Sequence, residues 1–266
     1  PRLAFLMDAL MHRLGLHGKS VVPFILGYGC SVPAVMSTRI LENRRDRFLA
    51  AALSTLIPCS ARLVVVFGLV AAYVGPWAAA AIYVLNLFMI ALTGRVLSGM
   101  MREESPGLII EIPPYRLPAA RSVLAKAWYR VREFMVEAWP ALIIGSLVLA
   151  LLTFFGLTRW LDLLVRPLTW VLGLPAATGV PLAFGILRKE LSLVMLGQAL
   201  GTLEFDLALT QAQMITFAVF VVFYIPCLAT LVVLRRELGW RAMGSVAAVA
   251  TVVALVVALA VRGGLL

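Results

Sequence analysis

Long apolar stretches without charged residues dominate the chain, and short arginine-rich segments separate them. A helix needs about 20 mostly apolar residues to cross a bilayer. The uncharged run over 63–94 is too long for one crossing, and Gly75-Pro76 near its middle is typical of a turn. This run therefore predicts two helices, over roughly 50–74 and 77–98. Further crossings are predicted over 138–158, between Asp206 and Arg235, and between Arg241 and Arg262.

Two other uncharged stretches, 20–38 and 167–187, are interrupted too often for simple crossings. The interrupting residues are Pro23, Gly27, Gly29 and Pro33 in the first stretch, and Gly173, Pro175, Gly179, Pro181 and Gly185 in the second. Irregular backbone at membrane depth is tolerated only where it is buried in protein or lines an aqueous cavity. Both stretches therefore predict broken or re-entrant helices beside an internal cavity. The charged segment 159–173 is expected to lie in the membrane interface.

The centre of the chain is polar. Residues 99–122 predict a loop, and the three prolines of Glu111–Pro118 exclude a helix there. Residues 121–137 predict an amphipathic surface helix, because basic residues lie close to Trp128 and Trp139. The predicted fold class is all-α: a polytopic helical membrane protein with a first half over 1–98, a loop and interfacial helix over 99–137, and a second half over 138–266.

The amino-acid composition is typical of a protein that is surrounded by lipid. Hydrophobic residues make up 62% of the 266 residues and charged residues 14%, with a mean hydropathy of +1.00. A soluble domain carries about 25% charged residues. The net charge of +10 comes from arginines between apolar runs, which indicates contact with lipid headgroups and not with nucleic acid. Excess positive charge marks cytoplasmic loops, so 95–132 and 235–241 are predicted to face the cytoplasm.

A nine-residue motif occurs twice. Residues 57–65 read Ile-Pro-Cys-Ser-Ala-Arg-Leu-Val-Val and residues 225–233 read Ile-Pro-Cys-Leu-Ala-Thr-Leu-Val-Val, so seven of nine positions are identical. Each copy follows one of the interrupted stretches and its polar turn. Duplicated broken segments are a sequence indication of the central site of a transporter. Chance similarity between two leucine- and valine-rich helices is the alternative, and the shared Pro-Cys pair argues against it.

The three cysteines are the candidate metal-ligating residues. Cys59 and Cys227 follow the repeated prolines, and Cys30 lies between Gly29 and Pro33. Proline within a helix frees a carbonyl one turn earlier, and in lipid that carbonyl must find a partner, for which an ion can serve. Sulfur ligands select softer transition metals over Mg²⁺ and Ca²⁺. The alternative for each cysteine is a small buried apolar side chain. Their odd number and wide spacing argue against a disulfide framework.

Glu42 and Glu190 follow the two interrupted stretches and are predicted to add negative charge to a transport pathway. Ionisable residues at membrane depth are candidate functional residues by default. At the interface they would instead pair with Arg39, Arg44 or Arg188 and stabilise helix ends. His12 and His17 are predicted to be surface residues. The run Gly15–Ser20 has only two residues between its glycines and is therefore no phosphate-binding loop, and no catalytic set is visible.

Several of these segments together resemble the membrane domain of FeoB-type ferrous iron transporters. They are Gly27–Val35, Thr38–Arg47, Pro58–Arg62, Ile112–Pro118, Leu187–Glu190, Pro226–Thr230 and Arg235–Trp240, and they keep their order over nearly the whole chain. The family often has asparagine after its first cysteine, where this chain has Ser31. The resemblance implies that Cys30, Cys59 and Cys227 are gate cysteines in a pair of gate-like repeats.

The resemblance also implies a multi-pass importer of Fe²⁺ in a prokaryotic inner membrane. It implies an N-terminal GTPase domain of the same protein, which would bind GTP and Mg²⁺, and small accessory Feo proteins. We expect the chain, which begins at Pro1, to be part of such a longer protein, with no enzymatic activity in this part. The sequence leaves a homo-oligomer open. The alternatives are a carrier for a small organic solute such as a nucleoside, and a membrane thiol oxidoreductase, which would require the close cysteine pair that the sequence lacks.

Overall fold

The computed structural model describes residues 7–8, 11, 15–16, 18–101, 119–154, 158–202 and 204–265. Within these ranges the chain is helical and contains no strand, which confirms the predicted all-α class. The α-helices are α1 (Val21–Gly29), α2 (Ser31–Ser37), α3 (Arg44–Leu56), α4 (Ser60–Val65), α5 (Pro76–Met100), α6 (Ala120–Phe154), α7 (Thr158–Leu172), α8 (Gly179–Leu187), α9 (Leu191–Leu200), α10 (Phe205–Ala208), α11 (Gln211–Phe223), α12 (Leu228–Leu238) and α13 (Trp240–Leu265).

Four helical segments in the described part of the chain are long and apolar enough to cross a membrane: 44–71, 76–100, 211–238 and 240–264. A fifth is obtained if Val165–Leu172 and Ala176–Leu187, which meet at a bend of 120°, are counted as one broken crossing. The protein is therefore a multi-pass membrane protein. The predicted interruption of 167–187 is confirmed, and the bend lies where Gly173 adopts a positive φ of 68° just before Pro175.

Two predicted boundaries differ from the structure. The helix predicted over 50–74 begins at Arg44, and it breaks after Leu56 and resumes at Ser60 before ending in a π-helical segment, Val66–Ala71. The surface helix predicted over 121–137 and the crossing predicted over 138–158 are joined in one helix, α6, with Pro140 inside it. A single proline removes one backbone hydrogen bond, and membrane helices tolerate it. The predicted non-helical run Glu111–Pro118 and both histidines lie outside the described residues.

Helices of the predicted halves, 1–98 and 138–266, pack against each other. Within the first half α1 packs on α2, and within the second half α8 packs on α9. Between the halves, α12 lies against α2, and α11 lies against α4 and its π-helical extension. The interruptions of the two segments therefore lie next to each other.

Arginine side chains gather at one end of the crossings. Arg39 and Arg47 both bind the buried carboxylate of Glu237, and Arg45 donates to the carbonyl of Met101 at 2.6 Å. These contacts join the start of α3 and the ends of α5 and α12. An arginine-lined cleft of about 740 Å³ lies at this end. That this end faces the cytoplasm stays a prediction.

Candidate functional site: a pocket at four helix breaks

Four helix breaks form the candidate site, and they fall into two pairs with similar backbone geometry. Cys59 and Cys227 are extended residues before α4 and α12, with φ, ψ of −67°, 165° and −61°, 156°. Cys30 and Arg188 are extended residues after α1 and α8, with φ, ψ of −152°, 135° and −140°, 123°. Each half therefore contributes one break of each kind, as the duplicated sequence predicts.

Proline causes the breaks before α4 and α12. Pro58 and Pro226 lack an N–H group and disfavour helical geometry in the residue before them. Ile57 accordingly has φ, ψ of −62° and 134°. These breaks lie near the middle of the crossings 44–71 and 211–238, and so at membrane depth.

The four breaks surround one pocket of about 190 Å³. Cys30, Cys59 and Cys227 all line it, and all three are partly buried free thiols. Ser60 ties two of the breaks together by donating to the carbonyl of Gly29 at 3.0 Å. The Sγ atom of Cys227 lies 3.1 Å from the Thr230 hydroxyl. Residues 197 positions apart in the sequence thus reach one cavity.

The two predicted acidic residues are placed differently. Glu190 lines the cysteine pocket, with its carboxylate 3.9 Å from the guanidinium of Arg188 and its side chain 41% exposed. Glu42 is not among the residues that line it. Its side chain is 84% exposed and pairs with Lys19 at 3.0 Å. The structure therefore brings four of the five predicted pathway residues together.

Two buried basic side chains at the pocket were not among the predicted site residues. Arg62 is 1% exposed and donates to the carbonyls of Thr55 at 2.6 Å, Ile57 at 3.0 Å and Tyr224 at 3.4 Å. These carbonyls belong to both proline breaks. An ion was the expected partner of the freed carbonyls, whereas in the structure one guanidinium donates to carbonyls at both copies of the repeat. The sequence signal is present, since Arg62 lies between two uncharged stretches.

Lys189 likewise donates a hydrogen bond to a carbonyl group at the second break. It is 2% exposed, its Nζ donates to the carbonyl of Ile225 at 2.6 Å, and Nζ lies 3.2 Å from the centre of the Tyr224 ring. The Tyr224 hydroxyl in turn donates to the carbonyl of Leu182 at 3.0 Å. On the other side of the first break, the amide of buried Asn86 donates to Leu56 at 3.1 Å.

The described residues hold no group of three histidine, cysteine or acidic side chains close enough together to bind a metal ion. The three thiols share a cavity without forming a closed coordination site.

The packing beside the pocket leaves no room for a side chain at Gly185. A methyl group added there would lie 2.0 Å from the Ser192 hydroxyl and 2.3 Å from the Tyr224 hydroxyl. Gly185→Ala is therefore expected to lower the free energy of unfolding by about 1–3 kcal/mol, the usual effect of overpacking. Gly244→Ala, where no atom lies within 4 Å, is the matched control and should be neutral or stabilising. Thermal unfolding of both purified variants in detergent checks this, and equal melting temperatures would contradict it.

Comparison with known proteins agrees with this architecture. The Gate family, described as nucleoside recognition, matches residues 1–73 and 135–241. The family described as ferrous iron transport protein B C terminus matches residues 79–130. The chain therefore belongs to the Gate family, in its FeoB-type form. No solved structure matches the chain.

Curated relatives carry the FeoB name. The Fe(2+) transporter FeoB of Methanocaldococcus jannaschii is 30% identical over 269 residues, which cover 90% of this chain and 40% of the relative. That of Synechocystis sp. is 34% identical over 250 residues, which cover 86% of this chain and 41% of the relative. A Fe(2+) transport protein A/Fe(2+) transporter FeoB fusion protein of Porphyromonas gingivalis is 35% identical over 158 residues, 58% of this chain and 19% of the relative. The FeoB-type chain thus spans about two fifths of the length of the first two relatives.

Proposed function

We propose that this FeoB-type chain is the membrane permease part of a ferrous iron importer, in which Fe²⁺ passes between the two halves. The pathway residues are Cys30, Cys59, Cys227 and Glu190. The observation that carries the proposal is the meeting of three cysteines, from three separate helix breaks, in one pocket at membrane depth. In lipid, an interrupted helix is stable where it lies inside the protein or beside an aqueous cavity.

The chemistry of the pocket fits a transition metal as the transported ion. Thiol sulfur binds softer metals in preference to Mg²⁺ and Ca²⁺, which bind oxygen. The ion would contact the sulfurs while it passes through the cavity, with Glu190 attracting it at the exposed side. Glu42, outside the pocket, would act further along the pathway by adding negative charge near one of its ends. The segments 1–98 and 138–266 would be the two gate-like halves that move relative to each other.

The names of the relatives extend the proposal to the whole protein. Ferrous iron transport in the curated relatives supports Fe²⁺ as the substrate and a prokaryotic inner membrane as the location. The fused relative of Porphyromonas gingivalis supports a small transport protein A as a partner of this chain. An N-terminal GTPase domain of the same protein would supply GTP binding and hydrolysis with Mg²⁺, so that this part has no catalytic task of its own.

A nucleoside carrier is the second candidate, because the matching Gate family is described as nucleoside recognition. Pockets for organic ligands measure about 300–1,000 Å³. The cysteine pocket, at about 190 Å³, is smaller than this range. Its polar lining consists mainly of charged groups and thiols, which suit an ion better than a sugar and a base.

Uptake by the full-length protein in proteoliposomes distinguishes the two candidates. With an Fe²⁺-binding dye inside the vesicles, and GTP available if the protein uses it, we expect Fe²⁺ to accumulate well above the level in empty vesicles. Radiolabelled uridine and adenosine should not accumulate. Nucleoside uptake without Fe²⁺ uptake would overturn the proposal and establish the second candidate.

A further inference from the structure

The arginine-lined cleft lies at the level of the membrane surface. Residues from one end of each of the four candidate crossings line it, so all four segments enter or leave the membrane beside it. Trp240 follows Gly239 of the cleft wall, and its side chain is 63% exposed, with the Arg235 guanidinium 4.0 Å from its ring centre. Tryptophan is enriched in the layer of lipid headgroups. The cleft is therefore within reach of lipid phosphate groups.

Positive charge exceeds negative charge around this cleft. Arg44, Arg45 and Arg47 line it. Among the described residues that line it, Glu237 carries the one carboxylate, and Arg39 and Arg47 both bind that group. The side chain of Arg44 is exposed and makes no hydrogen bond or ion pair with any described residue. An anion in the cleft would thus meet arginines whose charge the protein itself compensates only in part.

Arg45 shows that the wall of the cleft is held in a fixed position. Its guanidinium lies 3.3 Å from the buried carboxylate of Asp46 and donates to the carbonyl of Met101 at 2.6 Å and to the hydroxyl of Ser98 at 2.8 Å. In this set four arginines stand against two carboxylates, which leaves an excess of two positive charges. Guanidinium groups match the geometry of phosphate oxygens, so the cleft suits a phosphate group.

Apolar side chains line the same cleft beside the arginines. They belong to Phe48, Leu238 and Ala242. The volume of about 740 Å³ lies within the range of about 300–1,000 Å³ that is usual for pockets of organic ligands. A free phosphate ion would use the arginines alone and leave the apolar surface in water. A phospholipid matches both parts, because its phosphate binds arginine while its first methylene groups cover the apolar side chains.

We propose that the arginine-lined cleft is a binding site for one anionic phospholipid, of the phosphatidylglycerol type. Basic pockets between membrane helices bind anionic lipid headgroups in this way. A lipid in the cleft contacts the ends of all four candidate crossings and stabilises their packing against each other. The inference does not depend on which ion or solute the protein transports.

Two substitutions test the site without disturbing the fold. Arg44→Gln removes a positive charge from the cleft and breaks no contact with a described residue. Arg95→Gln is the matched control, because Arg95 is an exposed arginine of α5 that does not line the cleft. Ala242→Phe fills the apolar part of the cleft and leaves its charge unchanged.

The measurement is native mass spectrometry of the full-length protein in detergent, after incubation with equal amounts of phosphatidylglycerol and phosphatidylcholine that have the same acyl chains. The unmodified protein should retain one phosphatidylglycerol in clear preference to phosphatidylcholine. Arg44→Gln should lower the affinity for phosphatidylglycerol about fivefold, the usual effect of one basic residue at an anionic membrane surface. Arg95→Gln should leave the affinity unchanged, and Ala242→Phe should remove most of the bound lipid. An excess of inorganic phosphate should not displace the lipid.

Three results would overturn the inference. The first is equal retention of the two lipids by the unmodified protein. The second is an equal effect of Arg44→Gln and Arg95→Gln, which would show general contact with headgroups and no site in the cleft. The third is displacement of phosphatidylglycerol by inorganic phosphate, which would show that the cleft recognises phosphate alone. If Ala242→Phe does not yield folded protein, the comparison of the two arginine variants decides.

Discussion

Arg62→Leu is expected to destabilise the membrane fold more than any other single substitution considered for this FeoB-type chain. The change leaves the carbonyls of Thr55, Ile57 and Tyr224 without their donor in a water-poor interior. Removing the partner of a buried polar group costs about 1–3 kcal/mol for each group left unsatisfied. The sum is a large part of the roughly 5–15 kcal/mol by which proteins are stable. Thermal unfolding and size-exclusion chromatography in detergent measure the effect.

Arg62→Lys is the matched control for this substitution. Lysine keeps the charge and can donate to a carbonyl, but it lacks the planar guanidinium that reaches several carbonyls at once. Its melting temperature should therefore lie between those of the unmodified protein and Arg62→Leu. A leucine variant as stable as the unmodified protein would show that the helix breaks do not depend on this side chain.

The sequence predicts the positions of the helix breaks well. Pro58 and Pro226 remove backbone donors at repeated positions, and a break at membrane depth must lie inside the protein, so interruptions from both halves are brought to one cavity. At these positions the residue type alone, proline, predicts the backbone geometry. The sequence thus predicts that the three cysteines lie beside helix breaks, and it is the structure that places Cys30, Cys59 and Cys227 on one pocket.

The partners of the freed carbonyls could not be predicted in the same way. The repeat is recognised by the seven identical positions of the two motifs, whereas the breaks are stabilised by a residue that differs between them. Arg62 in the first copy corresponds to Thr230 in the second, and the one guanidinium serves both breaks. Which copy supplies the donor depends on the packing of α11 against α4, which no local pattern specifies.

The different positions of Glu42 and Glu190 also could not be predicted from the sequence. Both follow an interrupted stretch and looked equivalent in sequence, yet only Glu190 lines the pocket. The chain after α2 continues through the short 3₁₀ helix Thr38–Ile40 to the arginine-rich end, where Glu42 meets Lys19. After α8, by contrast, the next helix begins at once at Leu191 and keeps Glu190 beside the break. A difference of a few residues in the turn decides the position of each carboxylate.

Single cysteine-to-serine substitutions are predicted to have the largest effect on transport. Cys30→Ser, Cys59→Ser and Cys227→Ser each exchange sulfur for a hydroxyl of similar size, so the fold is kept while the affinity of the pocket for a soft metal falls. Changes around a metal ligand commonly reduce metal affinity or activity by about 10–100-fold, and the loss of a ligand should do no less. Each variant should therefore lower the rate of Fe²⁺ uptake by at least about tenfold.

The central claim, that Fe²⁺ crosses the membrane by way of the three sulfurs, is tested most directly by initial Fe²⁺ uptake rates of these variants in the full-length protein. Ala61→Ser, which lines the same pocket and removes no thiol, is the control. A strong loss of uptake in all three cysteine variants, beside normal uptake in the control, is the predicted result. Uptake at the unmodified rate in all three, with equal amounts of folded protein, would contradict it.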